Sequence, residues 1–191
     1  MITRLKTALR LAVVTLLLTG VVYPLVITGI STVLFPGQSQ GSFVTNESGL
    51  TVGSELIGQS FESPGYFHSR PSASGYDAVA SGGSNLGPTS EALRDAVTER
   101  IDAARSLEGL AASATVPVDM VTASASGLDP HITPASARLQ AKRVAEARGM
   151  ALGDVLELLE KHTGHPTLGI IGESRVNVLL LNLELDRVTA D

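Results

Sequence analysis

The sequence predicts an α+β protein in which one N-terminal transmembrane helix is followed by a single extracytoplasmic domain. Two observations predict it. Leu11 to Phe35 (LAVVTLLLTGVVYPLVITGISTVLF) runs without one charged side chain. The remaining stretch, about 150 residues, has the size of one domain with its own core, and it alternates short β-type segments with stretches of helical apolar spacing.

A helix over 11–35 would reach about 37 Å, against a hydrocarbon thickness of about 30 Å, so it can span with some tilt. Gly20 and Pro24 are the places where it should bend. Arg4, Lys6 and Arg10 are the only charges before it, and none follows until Glu47. The basic end, residues 1–10, is therefore expected in the cytoplasm and the domain outside. A cleaved signal peptide is the rival reading, but its apolar core is only about 7–15 residues long and is followed by a small-residue cleavage site. With no cysteine in the chain, neither a thioether lipid anchor nor a disulfide is available.

Three of the fourteen basic residues precede the apolar stretch, which leaves eleven against nineteen acids, an excess of eight negative charges. That balance, with no Trp and few other aromatics, argues against a nucleic-acid partner. Residues 36–48 (PGQSQGSFVTNES) read as a polar linker, with a formal glycosylation sequon at Asn46, and 49–191 as the domain. Leu50 to Phe61 favours short strands over helix. Ser63 to Thr89 is crowded with Gly, Ser and Pro yet carries Tyr66, Phe67, Arg70, Tyr76 and Asp77, so an ordered surface-forming segment is expected.

Helices are clearer further on. Pro88 and Thr89 open a run with Leu93, Val97, Ile101 and Ala104 at helical spacing. Pro117 starts a brief helix. Thr133 as N-cap, Pro134 at the first position and Gly149 as C-cap bound a helix over Pro134 to Arg148. Another is expected from Asp154 to His162, and Arg175 to Asp186 (RVNVLLLNLELD) reads as a strand running into a helical turn.

Catalytic and metal chemistry find little support. Neither a phosphate-binding GxxxxGK loop nor a dinucleotide-binding GxGxxG is present. His162 and His165 flank a Gly-Pro turn without an evident third ligand, so no metal is assigned. Ser124, Ser126, Asp129 and His131 include the residue types of a hydrolytic triad but lack a nucleophile elbow, and Asp129-Pro130 reads as a turn with His131 as a local hydrogen-bonding partner. No catalytic residue is assigned.

Two blocks, GSELIGQSFESPGYFHSRPSASGYDAVASGGSNLGPTS and VTASASGLDPHITPASARLQAKRVAEARG, together with the closing VNVLLLNLELD, resemble the C subunit of the Kdp potassium-transporting ATPase. The resemblance covers essentially the whole chain. It implies an accessory subunit in the bacterial inner membrane, assembled with a potassium-translocating subunit, a P-type ATPase subunit and a small single-helix subunit. It implies that ATP and potassium are handled by the complex, with no cofactor bound directly. The aspartyl-phosphate motif of a P-type pump and the pore loops of a potassium filter are both missing from this chain.

Arg70 with Tyr66, Phe67, Pro71 and Gln59 is expected to form a rigid docking edge, because arginine and aromatics are the usual anchors of interfaces. The alternative is that Arg70 only pairs with an internal acid such as Asp77. The glycine-rich stretch Ser81, Gly82, Gly83, Ser84 and Asn85 has two readings. The resemblance implies a nucleotide-binding regulator that raises ATP affinity in the ATPase subunit, and backbone amides around glycines can cradle phosphate. The topology puts the stretch outside, where ATP is scarce, which favours a structural turn packed against a partner. On the leading reading the domain caps the outer face of the potassium-translocating subunit.

Overall fold

The computed structural model describes residues 1–189. It divides into two compact units, Met1–Phe43 and Val44–Asp191.

The first unit is dominated by one helix spanning Ile2–Leu34. It consists of α1 (Ile2–Leu17), a π-helical turn (Leu18–Val22) and α2 (Tyr23–Leu34). Its length and composition suit a membrane crossing, and its large apolar side chains are exposed throughout. The helix thus begins well before Leu11 and takes in Arg4, Lys6 and Arg10. Pro24 has no N–H to offer the carbonyl of Gly20 and would crowd it, and the π turn falls where that bond is lost. Within the stretch expected to be linker, Pro36–Ser39 forms the helical turn α3, and β1 (Phe43–Thr45) pairs with β2 (Thr51–Ser54).

The second unit is α+β. Its helices are α4 (Glu91–Leu107), α5 (Val118–Val121), α6 (Pro134–Arg148), α7 (Leu152–Lys161) and α8 (Val178–Thr189). Its short antiparallel sheet has the order β3 (His131–Ile132), β5 (Arg175–Asn177), β4 (Thr163–Gly164). Ile132 and Thr163 both pair with Val176.

Local chemistry sets several boundaries. Thr133 Oγ1 accepts from the Ser136 amide, and Gly149 takes φ +66° to close α6. Asp119 on α5 accepts from the Thr133 amide at 2.7 Å and from the Ser136 hydroxyl, tying α5 to the start of α6. The C-terminal segment makes a longer helix than expected. Asn177 Oδ1 accepts from the Leu180 amide and starts α8, and Val178, Leu179, Leu181, Asn182 and Leu185 form its buried face. Helical spacing therefore prevails over the alternation that suggested a strand. The core brings together Phe67, Val144, Val155, Leu159, Val176, Leu181 and Leu185, with Ala137 and Ala141 allowing close approach of α6.

Candidate functional site

The candidate residues lie on two irregular stretches, 59–72 and 81–85, and both lean on the segment 124–131. Gly58 donates to Leu128 O at 2.8 Å, and a Cβ at Gly58 would sit 2.6 Å from Asp129 O, so only glycine fits this crossing. Ser72 Oγ donates to Gly127 O, and the Ser124 amide donates to Pro71 O.

Within the first stretch, two buried amide side chains act in place of a neighbouring strand. Asn182 accepts from the Phe67 N–H at 2.8 Å and donates to the Phe67 carbonyl at 2.9 Å. Gln140 does the same for His68, at 2.7 and 3.2 Å. A buried peptide with no partner is costly, so these amides are what let an irregular segment run through the core. Arg143 adds hydrogen bonds to the carbonyls of Pro64 and Tyr66 and pairs with Glu108 at 3.0 Å. Burial pushes the Glu108 carboxyl above its ordinary value, and Arg143 offsets part of that rise.

Phe67 corrects the expectation of a docking side chain: it is fully buried in the core, because its flanking peptide is pinned inward by Asn182. Tyr66 is half-buried. Its hydroxyl donates to Asp186 at 3.1 Å, Arg148 lies 4.7 Å from its ring centroid and Phe61 packs beside it. Gln59 crosses Gly53 and donates to Val52 O at 3.1 Å, bracing β2. Pro71 is half-buried, with its carbonyl used by Ser124.

Arg70 pairs with Asp129 at 3.0 Å rather than with Asp77, whose Oδ1 instead accepts from the Val79 amide. The Arg70 carbonyl accepts from the Tyr76 hydroxyl, and its Nε has no hydrogen-bond partner among the described residues. With 26 % of its side chain exposed, Arg70 lines, together with Asp129, two surface depressions of about 250 and 550 Å³. Burial pushes the Asp129 carboxyl up. Hydrogen bonds from the His131 side chain and amide and from Arg70 outweigh that effect and hold it below its ordinary value. This confirms the Asp129 turn with His131 as its local partner. Ser126 Oγ is occupied in accepting from the Leu128 amide.

In the second stretch, Ser81 Oγ and the Gly82 amide both donate to Ser126 O, at 3.0 and 2.8 Å. The Gly82 amide is therefore committed to the protein. A Cβ at Gly82 would meet nothing within 4 Å, whereas one at Gly83 would lie 3.0 Å from Ala125 O. Ser84 and Asn85 are exposed, and it is Asn85, at φ +54°, that takes the left-handed conformation. The tight glycine lies across the contact: Gly127 has φ +70°, and a Cβ there would meet Ser74 Oγ and Gly82 O. Sequence reasoning missed Asp129 as the partner of Arg70 and missed the roles of Gln140 and Asn182. An amide inside the apolar run VLLLNLELD is the one signal that pointed there. Among the described residues no three His, Cys, Asp or Glu side chains converge as metal ligands would.

One membrane-length apolar helix joined to an α+β unit held together by buried polar brackets fits the class of single-pass membrane proteins. Comparison with known proteins narrows this. Residues 5–187 match the family model KdpC, described as K+-transporting ATPase, c chain, and the chain belongs to that family. It is 57 % identical over 185 residues to the potassium-transporting ATPase KdpC subunit of Polaromonas naphthalenivorans, covering 95 % of this chain and 93 % of the relative. The KdpC subunit of Myxococcus xanthus is 54 % identical over 183 residues, covering 95 % and 86 %. That of Cereibacter sphaeroides (strain KD131) is 52 % identical over 190 residues, covering both chains in full.

Proposed function

We propose that this chain is a non-catalytic accessory subunit of an ATP-driven potassium importer, stabilising its assembly and capping the outer face of the potassium-translocating subunit. It sits in the bacterial inner membrane with residues 1–10 in the cytoplasm, one span, and the α+β unit outside. Its partners are the potassium-translocating subunit, the P-type ATPase subunit and a small single-helix subunit. ATP and potassium are handled by those partners. Family membership supports the assembly, and the basic residues ahead of the apolar stretch support the orientation.

The observation that carries the docking role is Arg70. Its guanidinium is fixed by Asp129 yet partly exposed, lining two depressions, so it offers a preorganised cation at low entropic cost. A nucleotide-binding role for 81–85 is not favoured, because the Gly82 amide that would meet a phosphate already donates to Ser126 O. The test is co-purification of the complex with Arg70→Ala in this chain. Loss of complex yield, with the isolated variant still folded, is expected. Full yield with only a less stable subunit assigns Arg70 an internal role.

A further inference from the structure

The segment from Pro166 to Gly172 (PTLGIIG) joins β4 to β5 and carries no charged side chain. It folds as a small hairpin. The Thr167 and Ile171 backbones exchange hydrogen bonds of 2.8 and 3.0 Å, and the Ile170 amide closes a turn onto Thr167 O. At its tip, Leu168, Ile170 and Ile171 are 85, 83 and 61 % exposed.

The apex is costly in two ways. Leu168 has φ +56° and Gly169 φ +75°, so both central residues of the turn are left-handed. Turns of that kind favour Asn-Gly or Gly-Gly, because glycine and the short polar side chain of asparagine tolerate the left-handed conformation and an aliphatic side chain is strained there. A leucine at this place is thus strained by its backbone and left in water by its side chain. Neither cost helps the isolated fold, and strain of this type clusters at functional sites.

We propose that this hairpin is a lipid contact: Leu168, Ile170 and Ile171 insert into the apolar edge of the bilayer that the chain's own helix crosses. The inference rests on the reading of Ile2–Leu34 as a membrane span, but not on the capping role. The span ends at Leu34 and the second unit begins at Val44, so residues 35–43, reaching about 30 Å at full stretch, keep that unit beside a membrane. The chemistry of the tip favours lipid over a protein pocket. Interface anchors are mostly Tyr, Trp and Arg, whereas an all-aliphatic tip suits hydrocarbon, which asks for no hydrogen bond and no shape match. The excess of eight negative charges after the span opposes attraction to anionic headgroups, so insertion is driven by apolar transfer and is insensitive to salt.

The chain has no tryptophan, so Ile170→Trp makes the introduced indole its sole one. Full-length protein carrying this change is placed in phosphatidylcholine nanodiscs with and without bromine-labelled acyl chains. The expected result is a blue-shifted emission that loses most of its intensity with the brominated lipid, at low and high salt alike, while Ala112→Trp on an exposed loop is unaffected. Adding Leu168→Asn and Ile171→Asn should abolish the quenching while leaving the fold intact, because asparagine accepts the left-handed conformation at 168 and the Ile171 side chain is exposed. Quenching that survives those changes means the indole inserts by itself and overturns the proposal. Emission that stays water-like in nanodiscs overturns it, and emission that shifts only when the other ATPase chains are added overturns it in favour of a protein pocket. Failure of the chain to stay with the nanodisc overturns the anchor reading, and the proposal with it.

Discussion

Replacing Asn182 with leucine keeps the number and branching of the side-chain heavy atoms and removes both hydrogen bonds that bracket the Phe67 peptide. Asn182 is 1 % exposed and Phe67 fully buried, so water cannot take over either bond. Two stranded backbone groups at about 1–3 kcal/mol each amount to about 2–6 kcal/mol. The apolar burial of the new side chain returns about 2 kcal/mol of that. At the middle of that range the net loss is about 2 kcal/mol, which in a domain of this size lowers the melting temperature by about 4–8 °C. Gln140→Leu is the internal control. It strands the His68 peptide and removes the Arg143 hydrogen bond to Gln140 Oε1, but both lie where the protein is only half-buried and water can replace them, so its cost should be nearer 1 kcal/mol. Purified full-length chain in detergent, melted with circular dichroism as the signal, measures both. An Asn182→Leu melting point within a degree of the parent, or a larger loss for Gln140→Leu, would refute the reasoning.

Two further outcomes are expected. Gly82→Ala should leave stability within about 0.5 kcal/mol of the parent, whereas Gly127→Ala, at φ +70° and with its Cβ driven into Ser74 Oγ and Gly82 O, should be strongly destabilising; urea denaturation of the two variants decides whether the constraint lies on that side of the contact. Because the folded Asp129 carboxyl is held below its ordinary value, its stabilising contribution is complete above that ordinary value and is lost as pH falls through the depressed one. Arg70→Ala removes part of what lowers it while burial continues to push it up, so acid unfolding followed by circular dichroism should begin at a higher pH than in the parent.

What could be read along the chain was what nearest neighbours decide. Thr133, Pro134 and Gly149 bound α6 as expected because a cap is chosen by residues within four positions of it. The apolar span needed only composition. The path of 59–72 was not legible, since its peptides are satisfied by side chains 72 and 115 residues away, and nothing local distinguishes Phe67 turned inward from Phe67 turned outward. The sequence offers Arg70 as a docking anchor, with an acid such as Asp77 as the alternative partner; that Asp129 is the acid it meets depends on how 124–131 folds back. The turn expected over 81–85 depends on the same fold-back: the left-handed glycine of that contact is Gly127, on the opposite side from Gly82.

The π turn at Leu18–Val22 divides the long helix in a way that composition conceals. One additional residue in a turn rotates everything beyond it by about 100° about the axis. Side chains before Leu18 and after Val22 therefore do not share one unbroken stripe, and the helix offers differently directed faces near its two ends. A neighbour following the first face up the helix would lose its register at this turn, leaving the upper half free to address a second neighbour. A scan of substitutions along the helix should show the helical rhythm of sensitive positions on both sides of the turn, with the phase skipping one residue between them.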